Sequence, residues 1–198
     1  MRRLILSVAL AAVLLPPAAE AQPRQPSRDY AATYRMESEG KAAEIRVFYS
    51  AASRRQRVET AEGGMAMIHD IPGNRMLMLN AQNRMAMELP GNVGPGQQNM
   101  LNVPDDMTLT RTGTATVAGH RCTTYRAMQA GVERGTVCVT DDGILLRADF
   151  QQGERRGTMQ ATALSLDSQP ASLFQVPEGW QVTQMPQGQG QGQRRPQR

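Results

Sequence analysis

From residue 30 onward, apolar and polar residues alternate in segments of five to ten, divided by Gly, Asn, Asp or Pro. Tyr34 and Met36 alternate with Arg35 and Glu37. Ile45, Val47 and Tyr49 alternate with Glu44, Arg46 and Phe48, and Val58 lies in the polar run from Arg55 to Thr60. Period two marks a half-buried strand, and short alternating runs with turn residues between them predict an antiparallel meander. The plan resumes at 109–117, turns at Ala118-Gly119 and passes through two segments at 120–128 and 133–140. After a turn at Asp141-Asp142-Gly143 it continues through 144–150 and, beyond Gly153, through 156–166. Two stretches break it. Residues 90–106 contain Pro90, Pro95 and Pro104, which deny a strand its ladder, so Met100, Leu101 and Val103 are placed on a short helical turn dipping back to the sheet. Ser168 to Phe174 reads as a short helix capped by Asp167 or Ser168, with Pro170 in its first turn.

Three Met-Xaa-Met pairs stand out: Met65 and Met67, Met76 and Met78, Met85 and Met87. Period two puts each pair on one face of its strand. A Pro72-Gly73 turn sets Met67 against Met78 and His69 against Met76. A four-residue loop at Asn80–Asn83 sets Met78 against Met85 and Met76 against Met87. All six thioethers then share a face with His69, while the other face mixes Asp70, Arg75, Arg84 and Glu88 with Ile68, Leu77, Leu79 and Ala86, so the methionine side is expected to turn inward. Three uses compete for it: core filling by flexible thioethers, the lining of a greasy ligand site that Met100 and Leu101 would cross, and a Cu(I) site built from Met65, Met67 and His69.

Composition supports many turns over long helices, with 18 Gly and 12 Pro against only eight aromatic residues among 198. The formal charge of +4 invites a nucleic-acid reading until its location is considered. Setting aside Arg2, Arg3, Glu20, Arg24, Arg28, Arg194, Arg195 and Arg198, all near the ends, leaves −2 for residues 29–184. Basicity confined to the ends makes no binding groove, and no nucleic-acid partner is expected.

Met1-Arg2-Arg3, the apolar run Leu4–Leu15 and Ala19-Glu20-Ala21 have the order of a cleaved export signal over residues 1–21. Twelve residues fall short of the roughly 20 needed to span a bilayer, no later run is longer, and the mature chain is expected in a bacterial periplasm with no transmembrane segment. Residues 22–28 read as an unstructured leader, 29–184 as the folded domain, and 185–198, rich in Gln, Gly and Arg, as a disordered tail. In an oxidising compartment Cys122 and Cys138 become partners by default. Their midpoint is residue 130, inside the turn-like Met128-Gln129-Ala130-Gly131, so a hairpin centred there sets the thiols across from each other within bonding reach.

Catalytic motifs are absent: no G-x-S-x-G elbow, no Walker loop, no H-E-x-x-H. His69 and His120 are the only histidines, and the oxygens that a calcium loop needs after Asp141-Asp142-Gly143 are replaced by Ile144, Leu145 and Leu146. No enzyme, resident metal or cofactor is expected. The oligomeric state is not legible in the pattern.

Several strings carry a resemblance. The export signal, Tyr34-Arg-Met-Glu, Arg55-Gln-Arg-Val-Glu, Val117-Ala-Gly-His-Arg-Cys-Thr-Thr-Tyr125, Val137-Cys-Val-Thr-Asp-Asp-Gly-Ile-Leu-Leu-Arg147 and Leu173-Phe-Gln-Val-Pro-Glu-Gly-Trp180 resemble the outer-membrane lipoprotein carrier (LolA-like) superfamily, and within it an uncharacterised periplasmic domain-of-unknown-function branch. The resemblance implies an incomplete, half-open antiparallel β-barrel with short helices across its concave face, enclosing an apolar cavity. Carriers of this kind hold acyl chains of lipoproteins. By that analogy the chain is an exported binding protein for a hydrophobic ligand or a lipid-modified protein, with Met65, Met67, Met76, Met78, Met85, Met87, Met100 and Leu101 as the ligand face. The alternative is a non-catalytic structural or protein-interaction domain of the cell envelope.

The tail yields a first prediction. Deleting residues 185–198 leaves the thermal midpoint within about 1 °C of the full mature chain in a melting experiment, because a segment with nothing to bury adds little to folding. A loss of several degrees contradicts it.

Overall fold

The computed structural model describes residues 25–91, 101–152 and 155–184. The export signal, Met100, the Gly153 turn and the tail lie outside these residues. Twelve strands follow in chain order: β1 Tyr30–Ser38, β2 Lys41–Ser50, β3 Arg55–Thr60, β4 Met65–Asp70, β5 Arg75–Asn80, β6 Met85–Pro90, β7 Met107–Val117, β8 His120–Gln129, β9 Val132–Val139, β10 Leu145–Gln152, β11 Arg155–Ser165 and β12 Gln181–Gln184. They form one sheet in the order β12-β6-β5-β4-β3-β2-β1-β11-β10-β9-β8-β7. Its neighbours are antiparallel except β12, which runs parallel to β6. The sheet is open, with β12 and β7 as its edges. Among the described residues the meander β1–β6 is joined to the meander β7–β11 by the pairing of β1 with β11.

One face carries the main core and is the inner face below. Tyr30, Tyr34, Val47, Tyr49, Ile144 and Leu146 are essentially sealed from solvent on it. The Tyr30 and Tyr49 rings stack at 5.7 Å, and the Tyr34 hydroxyl donates to the Leu145 carbonyl at 2.8 Å, tying β1 to β10. Leu101 and Val103 do dip back to the sheet and join this core, but as turn and extended chain, not as a helix.

The expected helices across the concave face are a correction. Among the described residues there is no α-helix, only the 3₁₀ turn Ala171–Phe174, with Pro170 at its start and no side-chain cap. It lies on the outer face, with Phe174 against Ala66, Ile68, Leu79 and Ala86. A four-residue turn gains little from helix propensity alone, so its position is set by where Phe174 finds apolar surface.

The cysteine hairpin forms by a different register than its midpoint suggests. Gln129 pairs with Val132 around Ala130-Gly131, both at positive φ of 50° and 78°, the two-residue hairpin geometry that matches strand twist. Arg134 is then an extra residue between Glu133, which faces Met128, and Gly135, which faces Ala127. Cys138 therefore stands opposite Thr124, not opposite Cys122. Without the bulge Cys138 would face Thr123 and point away from Cys122, since a one-residue slip exchanges faces. With it the two cysteines share a face, are bonded, and have Cα atoms 5.4 Å apart. Both are buried in the main core. Thiol titration of denatured, non-reduced mature protein should find no free thiol. Reduction should lower unfolding free energy by about 3 kcal/mol, as expected for a loop of this length.

Candidate functional site

Twelve strands in fixed register make rows across the inner face. One row runs Ala32, Val47, Val58, Met67, Met78, Met87, each directly paired with the next. Beside it run Tyr30, Tyr49, Gln56, His69, Met76, Leu89. The β4–β5 pairing is the one that the Pro72-Gly73 turn predicts, with Asp70 opposite Arg75 and a Gly73 N–H donating to the Asp70 carboxylate at 2.9 Å. The β5–β6 pairing is shifted by two residues from expectation. The turn occupies 81–84, with Arg84 at φ 50°, so Met78 faces Met87, Met76 faces Leu89 and Asn80 faces Met85. An even shift preserves faces, and all six methionines and His69 share the inner face.

That face is continuous with the main core, but it closes unevenly. Met76 is buried at 3% exposure and Met67 and Met78 are half-buried, whereas Met65, Met85 and Met87 are 47%, 38% and 37% exposed. The better-sealed side of β4–β6 is the outer one, where Ala66, Ile68, Leu79 and Ala86 pack under Phe174, with Leu173, Val176 and Trp180 around them. Arg57 and Arg55 strap this segment down, donating to the Leu173 carbonyl at 3.0 Å and the Phe174 carbonyl at 3.5 Å. Arg55 and Arg75 both donate to Asp70 at 3.1 Å. Burial alone would raise the Asp70 carboxyl, but the Gly73 N–H and the two guanidinium groups outweigh it and hold the group below the ordinary aspartate range.

On the inner face beyond β1 the structure opens a cavity of about 300 Å³. A third row lines it: Met36 on β1 pairs with Met159 on β11, Met159 with Ala148 on β10, and Ala148 with Val137 on β9. Val103, Pro104, Met107, Ala127, Leu145 and Phe150 complete the apolar wall, and Phe150 packs directly against Gly157, where no side chain fits. Asn102, Arg134, Thr136 and Asp149 are its polar groups. Asp149 is engaged, accepting from Arg147 at 3.0 Å and Thr136 at 3.1 Å. The Arg134 Nε and the Asn102 Oδ1 are shielded from water and make no hydrogen bond. Three other methionines, Met36, Met107 and Met159, therefore line a cavity that local pattern did not single out. Their alternation was visible, but the nonlocal β1–β11 pairing that joins Met36 to Met159 was not.

Burial also pushes the Tyr30 and Tyr34 phenols well above the ordinary tyrosine range, so both stay neutral structural groups. Among the described residues no three His, Cys, Asp or Glu side chains come together as a metal site. No helix among the described residues is long and apolar enough to cross a membrane.

The described residues thus form an open, mostly antiparallel sheet with an apolar inner face and a small cavity. The chain belongs to the DUF4412 family, a domain of unknown function whose model matches residues 30–152. No curated protein matches the chain. Among solved structures it is similar to an uncharacterized conserved protein from Thermus thermophilus, with TM-score 0.55 and 16% identity over 80% of this chain and 91% of that one. It is also similar to MucB in the Pseudomonas aeruginosa MucA/MucB complex, with TM-score 0.53 and 15% identity over 82% of this chain and 59% of that one. A looser likeness is to the LolA superfamily protein NE2245 from Nitrosomonas europaea, with TM-score 0.44 and 9% identity over 78% and 93% of the two chains.

The Asp70 cluster yields a pH prediction. A carboxyl depressed in the folded state contributes stability that is present above its unfolded value of 3.8 and is lost as pH falls through the lower folded value. Asp70→Asn should cost about 2 kcal/mol at neutral pH in urea unfolding, and the gap to wild type should shrink below about pH 4. A gap that does not change with pH contradicts the assignment.

Proposed function

We propose that the mature domain is a non-catalytic periplasmic binding protein that holds an acyl chain or similar apolar group against its inner face. The observation that carries this reading is the apolar cavity of about 300 Å³ walled by Met36, Met107, Val137, Ala148 and Met159. Its volume is at the lower end of the range for small-molecule sites, and unbranched thioethers suit a ligand of variable shape. Met65, Met67, Met76, Met78, Met85 and Met87, with Leu101 on the crossing segment, extend the same apolar face in this reading; Met100 lies outside the described residues. Export through residues 1–21 brings the domain to the compartment where its disulfide persists.

A protein-interaction role is the second reading. It is favoured by β7, an eleven-residue edge strand whose Thr108, Thr110, Thr112, Thr114 and Thr116 are exposed, and by the fold shared with MucB, which forms a complex with MucA.

Titration of the purified mature protein with the neutral dye N-phenylnaphthylamine separates them. The expected result is saturable fluorescence enhancement at micromolar dye. Ala148→Phe, which fills the cavity, should abolish it with an unchanged circular-dichroism spectrum, while Met78→Glu should fold and weaken it, because its row is half-buried. Wild-type protein with no saturable enhancement overturns the ligand reading.

A further inference from the structure

The cavity is not uniformly greasy, and its polar groups are placed by the same irregularity that aligns the cysteines. In a regular strand Arg134, next to the inner-face Gly135, would point outward. As the extra residue of the β9 bulge it lines the cavity together with Gly135, and bulges are a recognised means of re-aiming a side chain. Across the opening, Asn102 reaches the same space from the segment that precedes β7. The Arg134 Nε and the Asn102 Oδ1 are both shut off from water and both without a hydrogen bond. Native proteins rarely leave such groups unpaired, because each one costs its full desolvation. A guanidinium at one end of an apolar cavity, with no anion of the described residues paired to it, points to a ligand that brings its own anionic group. The remaining charged wall residue, Asp149, is held by Arg147 and Thr136, and among the described residues no carboxylate pairs with Arg134.

We infer that Arg134 and Asn102 form the head-group end of the cavity and select a free fatty acid by its carboxyl group. This rests on the apolar-ligand reading above and adds its chemical class. An ionised carboxylate accepts from the terminal N–H groups of the Arg134 guanidinium in charge-assisted bonds and, once the Asn102 amide turns its Nδ2 toward it, from that amide N–H as well. Its chain then lies along Met36, Val137, Ala148 and Met159. A methyl ester of the same chain offers Arg134 and Asn102 only a neutral carbonyl. Discrimination between acid and ester is therefore the signature of this site, because a polar group built to be satisfied rejects the analogue that leaves it unpaired.

The test is displacement of N-phenylnaphthylamine from the mature protein by decanoic acid and by methyl decanoate. Wild type should bind the acid at least about ten-fold tighter than the ester, a difference of about 1.4 kcal/mol. Arg134→Gln should erase most of that preference by weakening the acid, with ester binding within about two-fold of wild type, and Asn102→Ala should narrow the preference by itself. Acid and ester of equal affinity in wild type overturn the head-group assignment, as does a preference that survives both substitutions, while leaving the apolar cavity standing. Failure of wild type to bind the neutral dye overturns the cavity reading itself.

Discussion

The pairing of β1 with β11 is the constraint on which the rest of this fold depends. Each meander forms by local turns, but neither buries its apolar side alone, and among the described residues the β1–β11 ladder is where the two meet. The seam is not a plain ladder. Thr162 is an extra residue on β11, its hydroxyl donating to the Thr33 carbonyl at 3.2 Å, so that Ala161 and Met159 align with Tyr34 and Met36 while Leu164 aligns with Ala32. A one-residue error here would turn one whole meander inside out relative to the other. Tyr34 holds the alignment from the other side, with its buried ring in the core and its hydroxyl on Leu145.

Because side chains alternate strictly, extra residues at bulges, Thr162 and Arg134 among them, decide what faces what. The Thr162 bulge makes the inner face continuous across the seam. The Arg134 bulge lets Cys138 reach Cys122 and turns a cation toward the cavity in the same step. Gly135 beside it sits at φ 138°, where a Cβ would collide with the Asp149 carbonyl, so the irregular backbone is built for glycine. Structural staple and candidate ligand contact thus share one local irregularity.

The sheet closes its two faces differently. On the outer side of β4–β6, the Leu173 to Trp180 segment lays apolar side chains on Ile68 and Leu79 and is held by arginines of β3. On the inner side the three tyrosines and the Ile144–Leu146 corner fill the centre, and with so few aromatic side chains available the ends fill less completely. One end is the cavity under Asn102–Pro104. At the other, exposure rises from Met76 to Met65 and Met87.

Strand existence, the turns and the common face of Met65, Met67, Met76, Met78, Met85 and Met87 were legible in the chain, because period-two alternation and hairpins act between near neighbours. The Pro72-Gly73 turn even set the β4–β5 register, and the cysteine pairing followed from compartment and spacing. What local pattern misplaced was everything that hinges on one extra residue or on partners far apart. The Asn80–Asn83 loop slid by one position, the cysteines met across a bulge, and the short helix expected over Ser168–Phe174 became a 3₁₀ turn on the outer face. The cavity itself was invisible, because Met36, Ala148, Val137 and Met159 lie on four strands that only tertiary pairing brings side by side. Alternation along the sequence decides which residues can share a face. Only the assembled sheet decides which of those faces is filled, and where it is left open.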